Sequence, residues 1–133
     1  MGRFAVILLD THALVWMVAE PARLSRPAVA AIRASEHDGV AISAITLWEL
    51  ASLLARGRIH AYGTIDASVR VFTEGIVTRP ITPEIAALAT QFPDDYSRDP
   101  ADRLIGATAR AEGLTLITRD ADMRRSPLLK TIW

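Results

Sequence analysis

Acidic residues stand within, or at the end of, stretches that otherwise have the composition of a protein core. Residues 4–19 (FAVILLDTHALVWMVA) contain one formally charged residue, Asp10, and residues 40–55 (VAISAITLWELASLLA) also contain one, Glu49. Further along, a largely apolar predicted helix begins with two aspartates, Asp99 and Asp102, in the segment RDPADRLIGATA. A third aspartate, Asp120, follows the apolar run in LTLITRD. Because an ionised carboxylate is costly to bury unless it is paired or binds a metal, this pattern predicts that the fold gathers these acids around divalent cations.

The composition limits which class of protein and which kinds of site this chain can have. A length of 133 residues with 50% hydrophobic residues predicts one globular domain over residues 1–133. The absence of cysteine excludes disulfides, thiol catalysis and zinc–thiolate sites, and it fits a reducing cytoplasm. No two histidines are spaced as metal ligands, so a zinc site is not expected. The apolar run at the N-terminus is too short for a signal peptide or a membrane span, so we expect a cytoplasmic protein without membrane association.

The charges balance, since 15 basic and 15 acidic residues give a net charge of zero. This balance argues against tight, non-specific nucleic-acid binding driven by bulk charge. Arginines nonetheless cluster in sequence near the acids of the second half, at positions 98, 103, 119, 124 and 125. They are either solvated surface residues or a local basic rim, and for the second case we predict that Arg98, Arg103 and Arg119 bind substrate.

Strand and helix signals alternate along the chain. This alternation predicts an α/β domain with a mostly parallel central sheet and helices on both faces. The predicted strands are 4–9, 40–43, 76–77, 114–118 and an edge strand at 131–133. The predicted helices are 11–18, 25–35, 44–56, 66–73, 82–91, 99–113 and a short one at 120–124. Sites in such sheets form outside the carboxyl ends of the strands, so acids from separate segments are expected to converge there.

Asp10 directly follows the first predicted strand. It can cap the helix that begins at Thr11, bind a metal, or do both. Glu49 has no basic residue three or four positions away on its predicted helix. We therefore predict that Glu49 belongs to the metal site, with an exposed glutamate on the solvent side as the alternative. The tryptophans in these two helical settings, Trp16 and Trp48, are predicted to lie in the core.

The remaining acids belong to the second half of the chain. Asp99 and Asp102 open a predicted helix, where the backbone favours negative charge. Asp102 leads into the predicted buried stripe of that helix and is the preferred ligand, whereas Asp99 is either the helix cap or a further acid of the site. Asp120 can bind metal or cap a short helix, and the hydroxyl of Thr118 can orient a carboxylate or a water molecule.

A group of acids without cysteine or paired histidine selects hard cations, Mg²⁺ or Mn²⁺. Such groups commonly act on phosphates, because the cation offsets the repulsion between carboxylates and phosphate and lowers the pKa of water. The reaction we expect is hydrolysis of a phosphodiester bond. In this scheme Asp10, Asp102 and Asp120 hold one or two metals, and Glu49 completes the site or positions the attacking water.

The segments LLDTHALVW, SAITLWEL, DPADRLIGATA and LTLITRD, in this order and spacing, resemble the acidic motifs of PIN-domain ribonucleases. The length of the chain and its closing TIW resemble the VapC-type toxins of type II toxin–antitoxin pairs. This resemblance covers nearly the whole chain, and it implies a PIN-like three-layer α/β/α fold. The residues it assigns to catalysis and metal binding are Asp10, Glu49, Asp102 and Asp120, with Asp99 as an extra metal-site acid and Thr118 as a supporting hydroxyl residue.

The same resemblance implies an activity and partners. It implies endonuclease cleavage of RNA that depends on Mg²⁺ or Mn²⁺, a homodimer, and inhibition by a small cognate antitoxin protein. One alternative is a phosphatase with Asp10 as nucleophile, but haloacid dehalogenase-like phosphatases have a second aspartate where this chain has His12. Another is a non-catalytic RNA- or protein-binding module with a degenerate site, and the presence of all four acids argues against it.

Overall fold

The computed structural model describes residues 6–133 and contains a five-stranded sheet in the order β3-β2-β1-β4-β5, with every pair of neighbouring strands parallel. In the central strand, Leu8 pairs with Ala41 on one side and with Leu116 on the other. The prediction of an α/β domain with a parallel sheet is confirmed. The strands are β1 (Ile7–Leu9), β2 (Val40–Ser43), β3 (Val77–Arg79), β4 (Thr115–Ile117) and β5 (Thr131–Ile132).

Within residues 6–133, seven α-helices accompany these strands. All seven begin after a Ser, Thr or Asp whose side chain accepts a hydrogen bond from a backbone N–H two or three residues further on. Asp10, Asp99 and Asp120 are three of these caps. The helices are α1 (Thr11–Ala19), α2 (Arg26–Ala34), α3 (Ala44–Ala55), α4 (Ile65–Phe72), α5 (Pro83–Ala89), α6 (Pro100–Glu112) and α7 (Ala121–Arg125), with a 3-10 turn at Pro21–Arg23.

The helices form one layer on each face of the sheet. Successive strand residues point to opposite faces, so Ile7 and Leu9 pack with α1 to α4, whereas Leu8 packs with α5 to α7. The strands β1, β2 and β4 are buried on both sides, which explains why their sequences are continuous apolar runs instead of alternating patterns. The three-layer prediction is therefore confirmed.

Three details of the sequence prediction change. The first strand was predicted to begin at Phe4, which lies outside the described residues, and the strand begins at Ile7. The third strand is Val77–Arg79, one to two residues later than predicted. Trp48 was wrongly assigned to the core.

Trp48 is 63% exposed. The buried face of α3 consists of Thr46, Leu50 and Leu54, which are spaced four residues apart, and Trp48 lies between the first two on another face. Because α3 is largely apolar, its composition does not show which face the rest of the protein covers.

In the part of the chain that the structure describes, no helix has the length and apolarity that crossing a membrane requires.

Candidate metal centre

The first residues of the site, Asp10 and Thr118, follow the neighbouring strands β1 and β4. The chain runs from β1 outward to β3 and then returns to β4 on the other side of β1, so the order of strands reverses between β1 and β4. In open parallel sheets, the crevice at this reversal is where ligands bind. Asp10 follows β1, and the Thr118 hydroxyl, just after β4, donates a hydrogen bond of 2.5 Å to Asp10 Oδ2. The backbone N–H of Asp10 also donates to the Ile117 carbonyl at 3.1 Å.

Asp10 is a buried carboxylate, only 7% exposed. Its Oδ1 accepts from the Ala13 N–H at 2.8 Å, so the side chain caps α1 while its other oxygen contacts Thr118. Burial raises the pKa of Asp10 above its ordinary value of 3.8, and the hydrogen bonds oppose this shift without cancelling it. The cap and ligand interpretations of Asp10 are therefore compatible.

Glu49 enters from the second turn of α3 and is half-buried. Its Oε1 accepts a hydrogen bond from the Thr11 hydroxyl, the residue that follows Asp10. Thr11 also contacts the Thr46 hydroxyl at 3.1 Å, so two threonines fix the side of α3 on which Glu49 lies. The glutamate thus points towards α1, and not to the solvent side that the alternative interpretation required.

Asp102 and Asp99 come from the start of α6. The Ser97 hydroxyl donates to Asp102 Oδ2 at 2.7 Å, and Asp99 caps the helix by accepting from the Ala101 N–H at 2.8 Å. Burial raises the pKa of Asp102 to about 6, with smaller upward contributions from Asp99, Asp120 and Glu49. Several acids therefore lie close enough to Asp102 for their charges to repel its ionised form.

Asp120 begins α7 and accepts from the Met123 N–H at 2.9 Å. Its own N–H donates to the Thr118 hydroxyl oxygen at 3.0 Å. Thr118, which is fully buried, thus accepts from the backbone of Asp120 and donates to the carboxylate of Asp10. The hydrogen bond that the sequence predicted for this hydroxyl is present, and it ties the acids of β1 and β4 together.

One cavity of about 390 Å³ is lined by all five predicted acids. Its lining residues are Asp10, Thr11, His12, Trp16, Glu49, Asp99, Asp102, Arg119 and Asp120. The sequence analysis did not assign Thr11, His12 or Trp16 to the site, although each lies within six residues of Asp10. The sequence analysis also did not assign Ser97 to the site, because this residue lies in a predicted loop between two helices.

The donor set of the cavity fits a hard divalent cation. Carboxylate oxygens are the ligands that Mg²⁺ and Mn²⁺ prefer, and no Asp10 or Asp102 ion pair with a basic side chain occurs among the described residues. Within residues 6–133, no three acidic or histidine side chains are already arranged as a metal cage. Each of the five carboxylates instead accepts a hydrogen bond from a hydroxyl or a backbone N–H.

Two predicted substrate-binding arginines lie elsewhere. Arg98 is exposed and does not line the cavity. Arg103 donates to the Phe92 carbonyl at 3.3 Å and forms no ion pair with a carboxylate of the described residues. Of the three predicted arginines, only Arg119 lines the cavity. Substrate binding by Arg98 and Arg103, outside this cavity, stays a prediction.

The raised pKa of Asp102 predicts how stability changes with pH in metal-free protein. Between pH 3.8 and about 6 the folded state binds more protons at Asp102 than the unfolded chain does. Its contribution to stability is fully present below pH 3.8 and is lost as the pH rises through about 6. After discounting for solvent screening, we expect a loss on the order of 1–2 kcal/mol in the free energy of unfolding. Asp102→Asn should remove this loss in urea unfolding with EDTA, and an unchanged pH profile would contradict it.

An aromatic pair supports the start of α6. The rings of Phe92 and Tyr96 stack with centroids 4.0 Å apart, and the Tyr96 hydroxyl donates to the Asp102 carbonyl at 3.0 Å. Gly106, one turn further along α6, leaves room for both rings, since an added Cβ would lie 2.9 Å from Phe92 Cζ and would also collide with the Tyr96 hydroxyl. The glycine is therefore required by packing and not by backbone conformation.

We expect Gly106→Ala to destabilise the protein, although alanine favours a helix more than glycine. The clash displaces a buried ring, which typically costs about 1–3 kcal/mol, and it moves Tyr96 away from Asp102. Thermal unfolding measures the loss. Ala86→Gly, the reverse exchange at an exposed position of α5, is the control, since it should cost only the helix propensity. A stabilised Gly106→Ala variant would show that the rings yield freely.

The strand order and the acids at its reversal define a PIN-domain protein. The family model of the PIN domain matches residues 7–127, and the chain belongs to this family. Ribonuclease VapC22 of Mycobacterium tuberculosis is 42% identical over 130 residues, which cover 96% of this chain and 98% of that relative. The sequence-based identification of the family is confirmed.

Solved structures with this fold include DNA-bound VapBC from Salmonella typhimurium, with a TM-score of 0.75 and 18% identity over 97% of this chain and 98% of that one. A toxin–antitoxin complex from Klebsiella pneumoniae matches with a TM-score of 0.68 and 24% identity over 96% of each chain. At these identities the two structures establish the fold alone.

Proposed function

We propose that this chain is an endoribonuclease that depends on Mg²⁺ or Mn²⁺ and is the toxin of a toxin–antitoxin pair. The observation that carries the proposal is the convergence of Asp10, Glu49, Asp102 and Asp120 on one cavity at the reversal of the sheet. The 42% identity to a ribonuclease over nearly the whole chain supports RNA as the substrate. We also propose that residues 1–133 act as a single PIN domain.

The residues that would hold the cation are Asp10, Asp102 and Asp120, with Glu49 and Asp99 completing the set. When bound, the ion supplies charge neutralisation for the phosphate and activates water for attack. Its binding also offsets the cost of ionising Asp10 and Asp102, whose pKa values are raised by burial. The affinity for the ion should therefore fall as the pH drops below about 6, because protons compete for the same oxygens.

The chain's own side chains fix the geometry of this site. Thr118 holds Asp10, Thr11 holds Glu49, and Ser97 holds Asp102, so three hydroxyl groups set three carboxylates on different elements. Glu49 has one oxygen bound to Thr11, and its other oxygen can orient the attacking water and accept its proton. Because the supporting hydroxyls come from buried or half-buried residues of the fold, the carboxylates are positioned before RNA arrives.

Partners follow from the same proposal. A toxin of this kind is held inactive by a small cognate antitoxin, and the Klebsiella pneumoniae neighbour is a complex of this type. We propose a homodimer as the working form, as the family resemblance implies. We also propose that the protein acts in the cytoplasm.

Cleavage of defined structured RNAs by purified protein, freed of antitoxin, tests this function. We expect fragments with Mg²⁺ or Mn²⁺, none with EDTA, and recovery of cleavage when the metal is restored. Cleavage that persists in EDTA would overturn the metal-dependent mechanism. Absence of cleavage across a broad RNA set, with metal binding intact, would favour the non-catalytic binding module.

A further inference from the structure

We propose that the RNA strand passes from the acidic cavity by way of Arg119 into a basic, aromatic groove formed by α7, β5 and the start of α2. This inference rests on the proposed function and assigns the path of its substrate. The groove, of about 570 Å³, is lined by Arg124, Arg125, Ile132 and Trp133 among others. It differs from the path that Arg98 and Arg103 would have defined.

The linings of the two cavities meet at two places. Asp120 lines the acidic cavity, and Ala121, the next residue, lines the groove. A second connection runs through tryptophan rings, since Trp16 lines the acidic cavity and its ring centroid lies 5.7 Å from that of Trp133, which lines the groove. The acidic cavity and the groove are therefore neighbours, so an RNA strand bound at the acids would lie close to the groove.

Positive charge marks the boundary between them. Arg119 is exposed at the wall of the acidic cavity, and its guanidinium lies 5.9 Å from the centroid of the Trp16 ring. Such stacking orients the planar guanidinium and reduces the freedom it would lose on binding a phosphate. An RNA phosphate leaving the acids would meet this cation first.

Arg124 is the second available cation. It is exposed in the last turn of α7, and no carboxylate lies within 4.0 Å of its nitrogens among the ion pairs of residues 6–133. Its neighbour Arg125 also lines the groove but is paired with Asp122. Arg119 at the wall of the acidic cavity and Arg124 in the groove are therefore the two arginines of this path whose charge no carboxylate of the described residues pairs with, in a protein whose net charge is zero.

The aromatic wall indicates single-stranded or looped-out RNA. The Trp133 side chain is half-buried, so part of its ring is open to the groove. Bases stack on aromatic rings and arginine planes only when they are unpaired, whereas a duplex presents base edges and backbone. A groove that combines free arginines with a tryptophan thus favours unpaired nucleotides beside the cleaved bond.

Fluorescence anisotropy tests the path with a fluorescein-labelled single-stranded RNA and the matching duplex, in EDTA to prevent cleavage. For the single strand, Arg119→Ala/Arg124→Ala should raise the Kd about tenfold and reduce the salt slope by about 1.4, since each phosphate contact contributes about 0.7. Arg124→Lys should retain most of the affinity because it keeps the charge. Arg58→Ala is the matched control, since it removes an exposed arginine that lines neither cavity, and Arg98→Ala tests the other predicted substrate contact.

Several outcomes would overturn the path. They are unchanged binding by the double variant, equal weakening by Arg58→Ala, tighter binding of the duplex than of the single strand, or no binding by the wild-type protein. An acidic protein segment as the true occupant of the groove would give the first result. Cleavage of the same RNAs with Mg²⁺ separates the two proposals: metal-dependent cleavage that the double variant leaves unchanged rejects the path alone, whereas groove-dependent binding without any cleavage rejects the nuclease alone.

Discussion

Replacing Asp10 with asparagine should lower the rate of RNA cleavage by about 10³-fold or more, which corresponds to roughly 4 kcal/mol of transition-state stabilisation. Asparagine keeps an oxygen that caps α1, because it is as good a capping residue as aspartate. It removes the buried negative charge that would hold the cation. Single-turnover cleavage with Mg²⁺ or Mn²⁺ measures the loss, and circular dichroism checks the fold.

The thermal stability of Asp10→Asn shows whether a loss of activity reflects a missing catalytic group or a damaged fold. Burial raises the pKa of Asp10, so ionising it near neutral pH costs free energy in metal-free protein. Asp10→Asn should thus match or exceed the wild-type protein in thermal stability when EDTA is present. Asp66→Asn, which alters an exposed acid paired with Arg70 on α4, should leave cleavage unchanged. Full activity of Asp10→Asn would remove the basis of the proposed mechanism.

Thr118→Val should weaken the affinity for Mn²⁺ by about 10–100-fold, because residues that orient metal ligands typically contribute this much. Valine has nearly the shape of threonine but cannot donate to Asp10 Oδ2 or accept from the Asp120 N–H. Loss of these bonds to buried groups should also lower the free energy of unfolding by about 1–3 kcal/mol. The measurement is the Mn²⁺ concentration that gives half-maximal cleavage, and activity should recover at high Mn²⁺.

Two further variants make this prediction specific. Thr118→Ser retains the hydroxyl and should restore most of the affinity. Thr108→Val removes another fully buried hydroxyl, one that bonds to the Leu104 carbonyl within α6 and does not line the cavity, so it should leave the Mn²⁺ requirement unchanged. If Thr118→Val needed no more Mn²⁺ than the wild-type protein, the hydroxyl would have no role in holding Asp10 for the metal.

The positions of three of the five acids were predictable because each of the three coincides with a local signal. Asp10, Asp99 and Asp120 all cap helices, and capping residues can be recognised from the sequence next to apolar runs. A parallel sheet then brings the ends of its strands to one edge, so local signals predicted a non-local cluster. The fold class followed from the same alternation of strands and helices.

The supporting residues could not be predicted in the same way. Ser97 lies in a loop, and its contact with Asp102 depends on how that loop turns back onto α6. Thr11 meets Glu49 across 38 residues of sequence, through packing that no local pattern reports. Trp48 was wrongly assigned to the core for a related reason, because composition shows that a helix is apolar but not which of its faces the neighbouring elements cover.

The measurement that tests the central claim most directly is anomalous diffraction from crystals of the protein soaked in Mn²⁺, collected for the wild type and for Asp10→Asn. We predict a manganese peak in the acidic cavity, in direct contact with Asp10 and with Asp102 or Asp120, and no such peak in the variant. A wild-type cavity without manganese, at a concentration that supports RNA cleavage, would contradict the account. So would a peak that the Asp10→Asn crystals retain at full height.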